Sequence, residues 1–297
     1  MRKTIEIIRS PAAMMACSAE LKAKGMRLGL VPTMGCLHDG HLSLIRLLDG
    51  HCDVKMASIF VNPTQFGPNE DFQKYPRSEA RDLRLLESVG CEIAYCPSAA
   101  DVYADDFTSF VEVGPIADRL CGHFRPGHFR GVATIVLKLF NATRCDAAVF
   151  GLKDYQQAVV IRRMVKDLDL NVELLFGETA READGLAMSS RNSYLSQEER
   201  QRAAAIPQAL ETARTMAEKG ESNVERIIYS ARNVLLNSQI DSIQYLEIVD
   251  PESLEPLPKI DRCGLIVLAV YVGKTRLIDN VLIGPAGRGK PLIANIV

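Results

Sequence analysis

Through the first 175 residues, short apolar runs alternate with longer stretches in which apolar positions recur every three or four residues. That is the pattern of a parallel sheet covered by helices. Residues 27–31 predict a buried strand that runs directly into Pro32, Thr33, Met34 and Gly35, and the periodic stretch 42–48 predicts a helix after it. Further buried strands are predicted at 54–61, 92–96 and 147–150, and helices at 78–89, 131–140 and 155–168. The first of these helices has Ser78 at its cap and an early glutamate, and it sends Leu83, Leu85, Leu86 and Val89 toward a core.

After Glu178 the texture changes. A polar loop, 179–192, leads into a long predicted helix that starts near Ser196, where Glu198 and Glu199 suit the positive end of the helix. A second helix at 224–237 and strands at 243–249, 265–272 and 276–283 complete a small α+β module. The expected fold is α/β: a Rossmann-like doubly wound parallel sheet over residues 1–177, then a smaller C-terminal α+β lid domain over 178–297. A chain of 297 residues is long enough for two such domains.

Composition narrows the function classes. Apolar residues make up 47% and charged residues 24%, which argues for a globular protein over a disordered one. The net charge is -2, with Lys and Arg scattered, so nucleic acid is not an expected partner. No segment approaches the roughly 20 apolar residues of a membrane span, and residues 1–10 lead into no apolar signal region. A cytoplasmic protein without a membrane partner is expected. The eight cysteines, at 17, 36, 52, 91, 96, 121, 145 and 263, include no Cys-x-x-Cys pair and are expected to be reduced.

The densest chemistry lies in Pro32-Thr33-Met34-Gly35-Cys36-Leu37-His38-Asp39-Gly40-His41, between the first strand and the first helix. In a doubly wound sheet this turn sits at the carboxyl edge, and the helix start offers free N–H groups to an anion. Gly35 and Gly40 would let backbone or phosphate come close. His38 and His41, three residues apart, share a face and could donate to one phosphate chain. A metal-binding pair and two solvated turn residues are the alternatives. Asn62 and Gln65 follow a strand and so reach the same edge, either as amides for a carboxylate or hydroxyl or as a polar turn. Lys153 and Asp154 stand before a helix, and Met188-Ser189-Ser190-Arg191 is a hydroxyl-rich loop suited to phosphates.

The strand-Gly-His-x-Gly-His-helix segment resembles the nucleotide motif of the nucleotidylyl transferase superfamily, and its fuller wording resembles the pantothenate synthetase family. Four further segments agree with that family: Phe60-Val61-Asn62-Pro63-Thr64-Gln65-Phe66, Arg125-Pro126-Gly127-His128-Phe129-Arg130-Gly131-Val132, Lys153-Asp154-Tyr155-Gln156-Gln157, and Met188-Ser189-Ser190-Arg191-Asn192-Ser193-Tyr194-Leu195. The resemblance implies an ATP site made of Met34, Gly35, Cys36, Leu37, His38, Asp39, Gly40 and His41. Gly151, Leu152, Lys153, Asp154, Ala180, Met188, Ser189, Ser190 and Arg191 complete it. It implies His41 and His38 as catalytic residues, with His41 also a candidate proton donor to the leaving group. Gln65 and Gln157, with Asn62, are implied for pantoate and β-alanine, Arg125 and His128 for further nucleotide contacts, and Asp82 for an outer-shell contact to Mg²⁺. The family pattern has alanine where this chain has Cys36 and glutamate where it has Leu152. Cys36 is expected either to be a reactive thiol beside the phosphate-binding turn or to act as a slightly enlarged alanine.

The implied reaction joins pantoate to β-alanine. Pantoate's carboxylate attacks the α-phosphorus of MgATP, pyrophosphate leaves, and β-alanine's amine attacks the pantoyl-adenylate to release AMP. Such transfers need mainly positioning and charge stabilisation. The resemblance also implies a homodimer. Two other readings remain: another transferase of the superfamily, including a truncated aminoacyl-tRNA ligase core, and a non-catalytic nucleotide sensor. The net charge opposes the tRNA reading, and the intact pair His38 and His41 opposes the sensor.

Overall fold

A computed structural model describes residues 4–284. The outer limits expected for the two domains, residues 1 and 297, lie outside the described residues. In chain order, β1 (Glu6–Ile8) and α1 (Pro11–Ala23) precede β2 (Leu28–Thr33), α2 (Asp39–Arg46), β3 (Val54–Ile59), α3 (Glu79–Ser88), β4 (Ile93–Tyr95) and the short α4 (Ala99–Val102). Then come α5 (Cys121–Phe124), α6 (His128–Thr143), β5 (Ala147–Gly151), α7 (Tyr155–Asp167) and β6 (Glu173–Gly177). The C-terminal part holds α8 (Gln197–Ala203), α9 (Ala205–Glu218), α10 (Val224–Asn237), β7 (Ser242–Val249), β8 (Gly264–Val272) and β9 (Thr275–Ile283).

The first six strands form one parallel sheet in the order β1-β4-β3-β2-β5-β6. Alternation of side chains sorts them into two cores, one on each face. Leu28, Leu30, Met56, Ile93, Tyr95 and Phe150 face α6 and α7, while Val31, Ala57, Ala94 and Val149 face α2 and α3. The doubly wound α/β expectation holds, and a separate antiparallel sheet β7-β8-β9 forms the smaller α+β domain. Leu210, Ala213, Ile227, Leu235, Leu268 and Val270 supply that domain's own core.

Three features depart from the sequence pattern. β1, α1, β6 and the short helices α4 and α5 are additional. The long helix expected from Ser196 is broken at Ala204 into α8 and α9. Pro207 explains the break, because it has no N–H to give the carbonyl four residues back, on Ala203. Helix α6 begins at His128, ahead of the expected start at 131, which puts His128 in its first turn.

The start of α6 rests on the turn Pro63–Gln65 that follows β3. A Cβ at Gly131 would lie 2.3 Å from the carbonyl oxygen of Thr64 and 2.8 Å from the nitrogen of Gln65. Both are backbone atoms that cannot swing away. Gly131→Ala should therefore cost about 1–3 kcal/mol of stability, the usual range for overpacking. Denaturant unfolding checks this, and a variant as stable as the parent would mean that helix and turn are farther apart.

Candidate active site

From β2 the chain passes to β3 and β4 on one side of the sheet, then crosses to β5 and β6 on the other. The turns after β2 and β5 diverge there and leave a crevice at the carboxyl ends of the strands. A cavity of about 230 Å³ opens in it.

The turn after β2 is strained and held from below. Thr33 donates its hydroxyl to Ser58 O at 2.6 Å, and Gly35 N–H donates to Thr33 Oγ1 at 3.2 Å. Gly35 and Cys36 are both left-handed, with φ of 79° and 50°, and the second is costly for a residue with a Cβ. Asp82 on α3 holds this shape: its carboxylate accepts Cys36 N–H and Leu37 N–H, each at 2.8 Å. Asp82 is fully buried and does not line the cavity. Of Asp82, for which an outer-shell Mg²⁺ contact is expected, the structure shows this anchoring task.

Helix α2 starts at the pair of histidines. His38 is the cap residue, and the two rings lie 4.1 Å apart between centroids. His41 Nδ1 accepts the backbone N–H of His38 at 3.3 Å. A neutral His41 therefore carries its proton on Nε2, the other side of the ring. Burial, then His38 and Lys153, push His41 down to about 3. Burial, then Lys153, push His38 down to about 4. His38 Nδ1 is buried without a partner among the described residues. Gly40 has a different task from the one its type suggests: a Cβ there would come within 3.0 Å of His38 Cε1 and Nδ1, so glycine makes room for the imidazole.

Opposite the histidines, Gln65 presents its carboxamide to the cavity. Gln65 Nε2 donates to Met34 Sδ at 3.2 Å, and its Oε1 accepts from Asn62 Nδ2 at 3.1 Å. Asn62 also donates to Gly131 O and accepts from Thr64 and Tyr103 hydroxyls. Its amide is thus committed to holding the turn and Gln65. Phe60, Phe66, Val132, Ile135 and Leu139 add apolar wall, and Gln157 on α7 lines the same cavity.

On the third side, Gly151 at the end of β5 and Lys153 and Asp154 after it line the cavity. Asn280 on β9 donates from Nδ2 to Leu152 O and Lys153 O, both at 2.9 Å, and so fixes the turn that carries Lys153. Ala180, Met188, Ser189, Ser190 and Arg191 close the wall. Ser190 donates its hydroxyl to Cys36 O at 3.2 Å, and Arg191 forms a bidentate pair with Asp71 at 2.8 and 2.9 Å. Burial acts to raise the Asp71 carboxyl, but Arg191 overrides it and holds it below the usual range.

Of the residues expected at the site, Met34, His38, Gly40, His41, Asn62, Gln65, Arg125, His128 and Gln157 line the same cavity as the β5 and loop residues above. Gly35, Cys36, Leu37, Asp39 and Leu152 shape the turns without lining it. Glu178, Thr179 and Tyr75 line it without a sequence signal, and Glu70, Asp71 and Asn280, which support lining residues without lining the cavity, carried none either. Arg125 and His128 are engaged with Glu70 and Gln65 O.

The family model for pantoate-beta-alanine ligase matches residues 6–282. A pantothenate synthetase of Thermoanaerobacter sp. (strain X514) is 49% identical over 265 residues, 89% of this chain and 94% of that protein. Pantothenate synthetase 1 of Bradyrhizobium diazoefficiens is 51% identical over 280 residues, 94% of this chain and 98% of its own. Among solved structures, pantothenate synthetase from Thermus thermophilus superposes with a TM-score of 0.89 at 39% identity, covering 95% of this chain and 100% of that one. Pantoate-beta-alanine ligase from Francisella tularensis, complexed with beta-gamma ATP and beta-alanine, gives 0.77 at 35% identity, covering 94% and 97%.

The site's neutral imidazoles have a consequence for folding. His38, His41 and His128, pushed to about 4, 3 and 3 by burial, stay neutral in the fold, whereas the unfolded chain takes up protons near the ordinary value of 6.5. The unfolded state then binds more protons, so stability falls as pH drops below about 6.5. Down to about 4.5 most carboxylates stay ionised, and the histidines dominate. The melting temperature should fall steadily from pH 7 to pH 4.5. A flat profile would mean that these rings are protonated in the native state.

Proposed function

The chain belongs to the pantoate-beta-alanine ligase family, and from that premise we propose that its cavity forms pantoyl-adenylate from pantoate and ATP and passes the pantoyl group to β-alanine. One observation carries the site assignment: the meeting of two neutral imidazoles, Lys153 and the Ser189–Arg191 loop with glutamines and apolar side chains around one cavity. Pantoate has a carboxylate, two hydroxyls and a carbon carrying two methyl groups. Gln65 and Gln157 suit the hydroxyls and carboxylate, while Val132, Ile135 and Leu139 suit the methyl groups. The ATP triphosphate lies along the start of α2, Lys153 and the Ser189–Arg191 loop, and Ala180 lies beside Gly40 in the same groove. Mg²⁺ arrives on the phosphates and keeps waters around it.

In this reading His41 works as a neutral donor. Its Nε2–H is aimed by the bond at Nδ1, and taking a second proton there would set N–H against the N–H of His38. His38 and Lys153 add charge stabilisation as the α-phosphorus is attacked and pyrophosphate leaves. β-Alanine's amine then forms the amide bond as the carbonyl–oxygen bond to AMP breaks. No enzyme nucleophile is required. We take residues 178–297 as the part that covers the nucleotide, the active protein as a cytosolic homodimer, and nucleic acid and membrane as outside its partners.

ATP, Mg²⁺, pantoate and β-alanine should yield AMP and pyrophosphate, and without β-alanine labelled pyrophosphate should still exchange into ATP if pantoate is present. ADP as the stoichiometric product would exclude the adenylate. A species of 32.7 kDa in sedimentation at micromolar concentration would exclude the dimer.

His41→Ala should lower exchange by about 10²–10³ with the fold intact, the usual loss for one transition-state donor. Because His41 is neutral down to about 3, the parent's exchange rate at saturating substrates should not rise as pH falls through 6.5. A rise there that disappears in His41→Ala would make the imidazolium the working form.

A further inference from the structure

We infer that Arg125 and His128 are positioning residues for Gln65, and that their part in the reaction is to set how pantoate is held, with no contact to the nucleotide. The inference rests on the reading that Gln65 holds pantoate. The Gln65 carbonyl oxygen is gripped twice: His128 Nδ1 lies 2.8 Å from it and Arg125 Nη2 donates to it at 3.2 Å. Arg125 Nη1 meets His128 Nε2 at 3.0 Å. A guanidinium can only donate, so His128 Nε2 must accept, and its single proton must lie on Nδ1, facing Gln65. The three groups thus define one another's roles with no choice of tautomer left.

The guanidinium is engaged almost throughout by the protein. Nε and Nη2 donate to the two oxygens of Glu70, each at 2.6 Å, Nη2 also reaches Gln65 O, and Nη1 reaches His128 and lies 3.9 Å from Cys121 Sγ. The Arg125 side chain is only 12% exposed. Four of its five N–H groups are thus spent on oxygen or nitrogen acceptors of the protein, and only the one beside Cys121 Sγ is not. His128 is in the same position, with both ring nitrogens taken and burial, then Arg125, keeping it neutral down to about 3. Fixing the carbonyl of Gln65 fixes the residue from which its carboxamide departs, while Asn62 fixes the carboxamide itself. The grip ties the turn after β3 to the first turn of α6 in one orientation.

The test is steady-state kinetics on His128→Ala and Arg125→Lys, with KM for pantoate and for ATP measured separately. Both variants should raise pantoate KM by about tenfold or more while ATP KM moves less than about twofold. His128→Asn should recover much of the loss, because an asparagine amide can donate near the place of Nδ1. An ATP KM that rises as much as pantoate KM, or a folded His128→Ala with unchanged pantoate KM, overturns the inference. If His128→Ala does not fold, Glu70→Gln carries the test: it loosens the guanidinium at a distance from substrate and should shift pantoate KM in the same direction, and no shift overturns the inference. Gln65→Ala separates the two levels. If that variant leaves pantoate KM unchanged, the reading of Gln65 has failed; if it raises KM while the His128 and Arg125 variants do not, the positioning role alone has failed.

Discussion

Much of the candidate site depends on one buried carboxylate. The chain leaves β2 through two left-handed residues, Gly35 and Cys36, and only the first has no Cβ. Such a turn persists when surrounding bonds over-determine it. Asp82 supplies two of those bonds, to the N–H groups of Cys36 and Leu37, and Arg81 beside it donates to Leu37 O at 3.2 Å. The next residue is His38, which opens α2. The direction of α2, and with it the aim of both imidazoles, is therefore set by a side chain of α3 that never meets the cavity.

The charges around the cavity are arranged in advance. Arg125 and Arg191 are each matched by a carboxylate of the same short loop, Glu70 and Asp71, in bidentate pairs. Burial alone would raise both carboxyls, yet both are held below the usual range, so each pair keeps its charges in spite of partial desolvation. Lys153 also lines the cavity, and it helps to keep His38 and His41 neutral. Neutral imidazoles beside a lysine give a donor-rich surface without a second layer of positive charge to desolvate. That suits a triphosphate, which brings its own negative charge and its own cation.

Much of this was legible in the sequence wherever a function sits in a run of neighbouring residues. The segment from Pro32 to His41 shows a strand end, two glycines and two histidines at helical spacing, and the fold places them at the switch point, where such a segment must lie. Gln65, Gln157, Lys153 and the Ser189–Arg191 loop were visible for the same reason. The roles of single residues were less legible. Asp82 reads as a helix-start acid, and nothing local reveals that its carboxylate meets a turn 45 residues earlier. Asn62, Arg125 and His128 have the residue types of ligand contacts, but their hydrogen bonds are spent on protein. Asn280 carries no signal at all, since its partner carbonyls lie 127 and 128 residues away.

Besides the lining residues of the Ser189–Arg191 loop, the C-terminal domain reaches the site by gripping backbone carbonyls. Asn280 holds the carbonyls of Leu152 and Lys153, Ser190 holds the carbonyl of Cys36, and Arg181 is tied to the buried Asp279 by a bidentate pair at 2.7 and 3.0 Å. An apolar cluster joins Tyr155 and Val159 of α7 to Val249, Leu265 and Val267 of the small sheet. The bonds from Ser190 and Asn280 tie the second domain to the turns after β2 and β5, which diverge at the switch point, while the Arg181–Asp279 pair ties the loop after β6 to the small sheet. A substitution that conserves shape at Leu152 costs these contacts little, because Asn280 grips its carbonyl and not its side chain. The same holds at Cys36, where Asp82 and Ser190 grip the N–H and the carbonyl. Cys36 and Leu152 are thus positions where the structure uses the backbone more than the side chain.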